Sequence, residues 1–299
     1  MNITTVNFHL IKACNYKCKF CYATFNDIDI VSNIQQKDAE IIITKLADSN
    51  LFKKINFAGG EPTLIKYIIP LIEHAKNMGF ETSIVTNGSQ INLDWIKSVA
   101  NSLDILTLSI DSINEETNIK SGRHQNGKTL DLSKILALSA ICKEFNINLK
   151  INTVVHQYNF TEILAPFINE LNPFRWKILQ VTRVIGQNDK QFELMNISNI
   201  DFDDYYTRNK LHINPKIKIV PESAEIIRGS YLMVDPLGRF FDSNNKIHNY
   251  SIPILQTGVE NALSQININY SKFLSREGNY TTVQPTQYAH SQNHSRLSA

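Results

Sequence analysis

The chain reads as an α/β fold on a parallel sheet, an open or partial (β/α) barrel followed by a smaller C-terminal extension. Three observations carry this. Short apolar runs alternate with longer amphipathic ones, turn residues fall between them, and the pattern changes after about residue 185. Parallel strands need long crossovers, which helices supply, so strand–helix alternation implies a parallel sheet with right-handed connections. The regular order suits a partial barrel; periodicity alone leaves a doubly wound sheet open.

Taken in order, VNFHL (6–10), KINFAG (54–59), TSIVTNG (82–88), DILTLSID (104–111), LKINTVV (149–155) and RWKILQ (175–180) are predicted strands. Helical patterns fill 37–49, 65–78, 91–101, 128–145 and 161–171. Gly79 and Asn87-Gly88 supply helix-stop and turn chemistry at the junctions. Further on, YLMVDPLGRFFD (231–242) predicts two short strands joined by a Pro-Leu-Gly turn. Residues 280–299, rich in Thr, Gln, Ser, Asn and His, read as a disordered tail or, alternatively, a lid that orders over a ligand. The expected division is a barrel core at 1–185 and an extension at 186–299 that packs on the barrel and covers its site.

With 299 residues, 42% of them hydrophobic, the chain can bury a sizeable core. A formal net charge of +2 excludes the global polycation that a nucleic-acid partner would favour. There is no apolar run of about 18 residues and no signal-peptide pattern, so a cytoplasmic protein without membrane attachment is expected.

Three of the four cysteines crowd into KACNYKCKFCYA as Cys14, Cys18 and Cys21, directly after the first strand. A disulfide framework would need spread pairs. Thiolates are the usual ligands of iron–sulfur clusters, and three of them leave one iron of a [4Fe–4S] cube open to another molecule. The alternative is zinc, but structural zinc takes four ligands, and no fourth is evident: His9 lies on the strand and Cys142 is distant. Cys142, inside the helical pattern LSKILALSAICKEF, reads as a core residue.

Strand alternation sends residues i and i+2 to one face. Lys54 and Asn56 share a face, as do Lys150 and Asn152, and Arg175 and Lys177. Strands covered on both faces normally read as continuous apolar runs, so these polar pairs are unusual. Buried charges require partners. Protein carboxylates would serve, but only Glu61 and Asp111 are evident on matching faces. A bound polyanion such as a nucleoside triphosphate explains the cations better. The segment Gly122-Arg123-His124-Gln125-Asn126-Gly127-Lys128 reads as opening a helix, where amides favour phosphate, and it is not a Walker loop.

These motifs resemble the radical S-adenosylmethionine superfamily, whose fold is a partial (β/α)6 TIM-like barrel. Ala58-Gly59-Gly60-Glu61-Pro62 resembles its GGEP motif, which receives the methionine amino group. The glycines there are expected to let backbone approach the ligand, with Glu61 positioning the loop. Asn87 in SIVTNGS joins the implied cofactor set, together with Ser109 and Asp111 at the methionine or ribose. The cluster would supply an electron, and a 5′-deoxyadenosyl radical would take a substrate hydrogen.

Within the superfamily the chain resembles the viperin family through VNFHLIKACNYKCKFCYA, KINFAGGEP, LKINTVV, NPFRWKILQV, VPES and SYLMVDPLGRFFD, in order. That resemblance implies dehydration of CTP, UTP or GTP to the 3′-deoxy-3′,4′-didehydro triphosphate, an antiviral chain terminator. It implies nucleotide contacts by Asn7, Lys54, Asn56, Lys128, Lys150, Asn152, Arg175 and Lys177. Arg123 would serve either the methionine carboxylate or the phosphates. Tyr231, beside the nucleotide, is the catalytic candidate. The electron donor would be a flavodoxin- or ferredoxin-type protein. The amphipathic N-terminal helix of animal members is missing, which agrees with no membrane attachment. Competing readings are another radical enzyme acting on a different phosphorylated molecule, or a non-enzymatic zinc or nucleotide-binding module. A radical enzyme with an auxiliary cluster would need a second cysteine set, which the chain lacks.

Overall fold

The computed structural model describes residues 3–28 and 34–282. Expectations for the tail beyond residue 282 lie outside the described residues. One ten-stranded sheet organises the chain. Its strands are β1 (Thr5–His9), β2 (Lys54–Ala58), β3 (Glu81–Thr86), β4 (Ile105–Ser109), β5 (Asn148–Val155), β6 (Arg175–Gln180), β7 (Lys218–Glu222), β8 (Met233–Val234), β9 (Arg239–Asp242) and β10 (Asn249–Pro253).

The spatial order is β10-β9-β8-β1-β2-β3-β4-β5-β6-β7. Strands β1 to β7 run parallel to their neighbours. Strand β8 joins β1 in parallel, and β9 and β10 add an antiparallel border. The sheet is open, with β10 and β7 as its edges.

Helices α1 (Gln36–Asp48), α2 (Ile68–Asn77), α3 (Leu93–Val99), α4 (Glu115–Ser121), α5 (Leu132–Glu144) and α6 (Ala165–Leu171) fall between the first six strands. They bury the outer face of the sheet. Phe8, Ile55, Phe57, Ile84, Leu106, Leu108, Ile151, Trp176 and Ile178 from alternate strand positions join the helices' apolar stripes in one cluster. No helix of the described residues is long and apolar enough to cross a membrane.

Strand β7 escapes a hydropathy reading because KIVPE carries a proline. Proline is tolerated there because β7 is an edge strand. The expected helix start at 128 is corrected. Helix α4 stands between β4 and α5, and Asn126 and Gly127 take left-handed backbone (φ 51° and 79°) that no helix continues. Helix α5 begins at Leu132, where Asp131 caps it by accepting from the Ser133 amide at 2.6 Å. An acidic cap replaces the expected phosphate cradle.

Candidate active site

The inner face of the sheet and the loops at the strands' C-terminal ends enclose one cavity of about 270 Å3. At its upper end the loop after β1 carries Cys14, Cys18 and Cys21, all half-buried and all lining the cavity. Two backbone ties hold this loop to α4: the Lys17 amide donates to the Gly122 carbonyl at 3.2 Å, and the Lys19 amide to Ser121 at 2.9 Å. Gly122 is required there. Its φ is 82°, and a methyl group would strike the Lys17 carbonyl.

The end of β2 grips the loop from the other side. The Gly60 amide donates to the Ile11 carbonyl at 2.5 Å, and the Glu61 amide to Ala13 at 2.9 Å. A side chain at Gly60 would run into the carbonyls of Lys12 and Ala13. Approach of the cysteine loop thus dictates glycine at 60, a closer cause than the ligand approach expected above. Glu61 is buried, and both its oxygens are engaged: Oε1 accepts from Thr86 at 2.7 Å and Thr63 at 2.6 Å, Oε2 from the Asn87 amide at 2.8 Å. Asn87 in turn donates to Asn15 Oδ1 at 2.8 Å, next to Cys14. A chain of hydrogen bonds therefore runs from the β2 end through β3 into the cysteine loop.

Burial pushes the Cys14 thiol up to about 11 and the Cys18 thiol up to about 12, so the free thiols are protonated at neutral pH. Binding iron would release those protons. Among the described residues no group of three or more His, Cys, Asp or Glu side chains converges as the ligands of a single metal ion must. Three thiols lining one cavity are the ligand number that would leave one iron of a [4Fe–4S] cube open. His9 lines the same cavity, buried against Phe25 and Phe241, where burial lowers it to about 3.

Ser109 and Asp111 line the cavity at the end of β4. Asp111 is buried, pairs with Arg123 and accepts from the Val154 amide at 2.7 Å. Arg123 also faces the Phe20 ring at 5.4 Å. This places Arg123 beside the cysteines, at the upper end.

Below, the inner-face residues share register. Asn7 is opposite Asn56, Lys150 opposite Arg175, and Asn152 opposite Lys177. Asn56 donates to Asn7 Oδ1 at 2.8 Å, and the Oδ1 atoms of Asn56 and Asn152 are buried without a partner. Lys177 donates to the Tyr231 hydroxyl at 2.8 Å, and Tyr231 donates to Glu222.

The expectation that few carboxylates face these cations is corrected. Lys54 pairs with Glu81 at 2.9 Å, Lys177 with Glu222, and Arg175 with Glu277 at 3.2 Å. Burial opposes ionisation of Glu222, yet Lys177 and Arg276 hold its carboxyl below the usual carboxylate range. Lys150 alone of the four makes no direct ion pair with a carboxylate among the described residues. Burial, with Lys54, Arg175 and Arg276 nearby, outweighs the longer-range pull of Glu222 and lowers it from 10.5 to about 7.

Two candidates fall outside the cavity. Lys128 is exposed on the turn at 125–128, and Arg175 is covered by the segment that follows residue 275. Four residues to which the sequence reading gave no role line the cavity or pair with its cations: Arg276 and Tyr280 line it, and Glu81 and Glu222 pair with Lys54 and Lys177. The parity of KIVPE marked Glu222, once β7 was recognised as a strand; Arg276 and Tyr280 carried no periodic signal.

An open parallel sheet with three cysteines on the loop after its first strand agrees with the radical S-adenosylmethionine class that the motifs resemble. Residues 9–165 match the radical SAM superfamily. An S-adenosylmethionine-dependent nucleotide dehydratase of Lacinutrix mariniflava is 44% identical over 93% of this chain and 58% of its own length. One from Flammeovirga pacifica is 40% identical over 93% of this chain and 96% of its own. The nucleotide dehydratase RSAD2 of Oncorhynchus mykiss is 33% identical over 93% and 80%.

Among solved structures, Streptococcus suis SuiB bound to S-adenosylmethionine shares the fold with TM-score 0.61 and 19% identity, covering 79% of this chain and 59% of that one. Native anSMEcpe with bound AdoMet does so with TM-score 0.64 and 14% identity, covering 91% and 82%. The chain belongs to the radical SAM superfamily and, within it, to the viperin family. As a member of that family it takes a [4Fe–4S] cluster and S-adenosylmethionine as cofactors.

Proposed function

We propose that this chain removes water from a ribonucleoside triphosphate, CTP, UTP or GTP, to give the 3′-deoxy-3′,4′-didehydro nucleotide. The carrying observation is Lys150: buried, without a direct carboxylate ion pair among the described residues, and facing a cavity it shares with Lys177 and Arg276, where Glu222 offsets its charge only at longer range. A cation in that state gains most from an anion, and phosphate supplies one. The relatives' printed activity, nucleotide dehydratase, supports the same reading.

Cys14, Cys18 and Cys21 would hold the cluster, with Gly59, Gly60, Glu61, Asn87, Ser109 and Arg123 around S-adenosylmethionine. When bound, these cofactors supply a carbon-centred radical that takes the 4′ hydrogen; loss of the 3′ hydroxyl as water and uptake of one electron and one proton complete the balance. The open Oδ1 atoms of Asn56 and Asn152 accept from ribose hydroxyls, with Asn7 fixing Asn56. Lys150, Lys177 and Arg276 hold the phosphates, and Lys54 lies deeper. Tyr231, its hydroxyl locked between Lys177 and Glu222, presents a phenol at the cavity wall as the catalytic candidate.

Residues 1–185 would form the catalytic barrel and 186–299 its cover. A cytoplasmic setting with a flavodoxin- or ferredoxin-type donor completes the proposal. The test is 5′-deoxyadenosine formation by cluster-loaded protein with S-adenosylmethionine and reductant. Stimulation by at least one of CTP, UTP and GTP is expected; none would sink the reading.

A further inference from the structure

The cavity's floor is made by the chain's own C-terminal segment. After the helix Tyr270–Ser275, residues 276–282 pass beneath the N-terminal ends of β2, β3, β5 and β6. Tyr280 lies at the centre. Its carbonyl accepts from Lys54 Nζ at 2.6 Å, and its ring faces Lys54 Nζ at 3.5 Å and the Arg175 guanidinium at 4.4 Å. Its hydroxyl accepts from Lys150 Nζ at 3.1 Å. Glu277 takes Arg175 at 3.2 Å and Lys218 at 2.8 Å.

These contacts sort the cations. Arg175 is held below the floor and does not line the cavity, whereas Lys150 lines it together with Tyr280. The Tyr280 hydroxyl accepts from Lys150, but its own hydrogen meets no acceptor among the described residues. A half-buried donor next to a buried cation that lacks a direct carboxylate ion pair is half of an anion site, and the missing half is an acceptor oxygen.

We propose that Tyr280 gauges the length of the substrate's phosphate chain. A terminal phosphate long enough to reach Lys150 also receives the Tyr280 O–H, while the ring blocks passage to Arg175. A chain one phosphate shorter meets neither donor. The inference rests on the nucleotide reading above and adds the residue that selects triphosphate over diphosphate.

The test is equilibrium binding of CTP, UTP and GTP, and of CDP, UDP and GDP, to cluster-loaded protein with S-adenosylmethionine. Wild type, Tyr280→Phe and Tyr280→Ala are compared, each read as its triphosphate-to-diphosphate affinity ratio. Tyr280→Phe keeps the ring and removes only the donor, so triphosphate affinity should fall on the order of tenfold with diphosphate affinity unchanged. Tyr280→Ala should lower the ratio at least as far. A ratio unchanged in both variants, whether both affinities fall together or neither moves, overturns the gauge. Wild type that binds no nucleotide overturns the nucleotide reading itself, and the gauge with it.

Discussion

Replacing Lys150 with methionine should make the protein more stable and a poorer nucleotide binder. Lys150 is 5% exposed, and its pKa falls from 10.5 to about 7. At about 1.36 kcal/mol for each tenfold change in proton affinity, this disfavours the charged form by roughly 5 kcal/mol. Relaxation and residual water recover part of that penalty, so a gain of about 1–3 kcal/mol is expected for Lys150→Met in the ligand-free protein.

The pH dependence has a definite sign. Unfolded lysine carries its proton up to about pH 10.5, folded Lys150 only up to about pH 7. Between those values the unfolded state binds more protons, so wild-type stability from this group rises with pH across the window. The advantage of Lys150→Met is therefore full at pH 7 and below, and fades towards pH 10.5. Nucleotide binding above pH 7 should draw a proton onto Lys150, visible as a buffer-dependent binding enthalpy that the variant lacks. Chemical denaturation across pH, with calorimetry in two buffers, measures both effects. A variant that is destabilised at pH 7 and binds triphosphate as wild type does would refute the reasoning.

Glu222→Gln should cost about 3–5 kcal/mol in a denaturation experiment, because Lys177 and Arg276 then lose their buried counter-charge. Unchanged stability would show that Glu222 is protonated in the native protein. Gly60→Ala forces the end of β2 off the cysteine loop and should cost about 1–3 kcal/mol of stability. Iron loading after anaerobic reconstitution should fall with it, and full loading would show that the grip is dispensable. Lys128→Ala should leave nucleotide affinity within about twofold, since Lys128 is exposed away from the cavity; a larger loss in a titration would place it back in the site.

The outer face of the sheet was legible because it obeys periodicity: Ile55 and Phe57, or Trp176 and Ile178, announce strands wherever helices cover them. Parity likewise marked Lys54, Lys150 and Lys177 as inward. It did not reveal their partners. Glu81 opens its strand at a point that reads as a turn, Glu222 follows a proline in an edge strand, and Glu277 comes from a segment without periodicity. Each meets its cation only through long-range register, which local sequence does not encode. The glycine at 60 was recognisable as part of a motif, but its cause, the carbonyls of the cysteine loop, required coordinates. The helix expected at 128 failed for a local reason, the left-handed pair Asn126-Gly127, which turn chemistry outweighing apolar spacing explains.

The most direct test of the central claim is the yield of 5′-deoxyadenosine from protein reconstituted to about four irons per chain, with and without triphosphate. The account predicts that at least one of CTP, UTP and GTP raises that yield, and that Cys18→Ser removes both the iron and the product. Protein carrying a full cluster whose yield no triphosphate changes would contradict it.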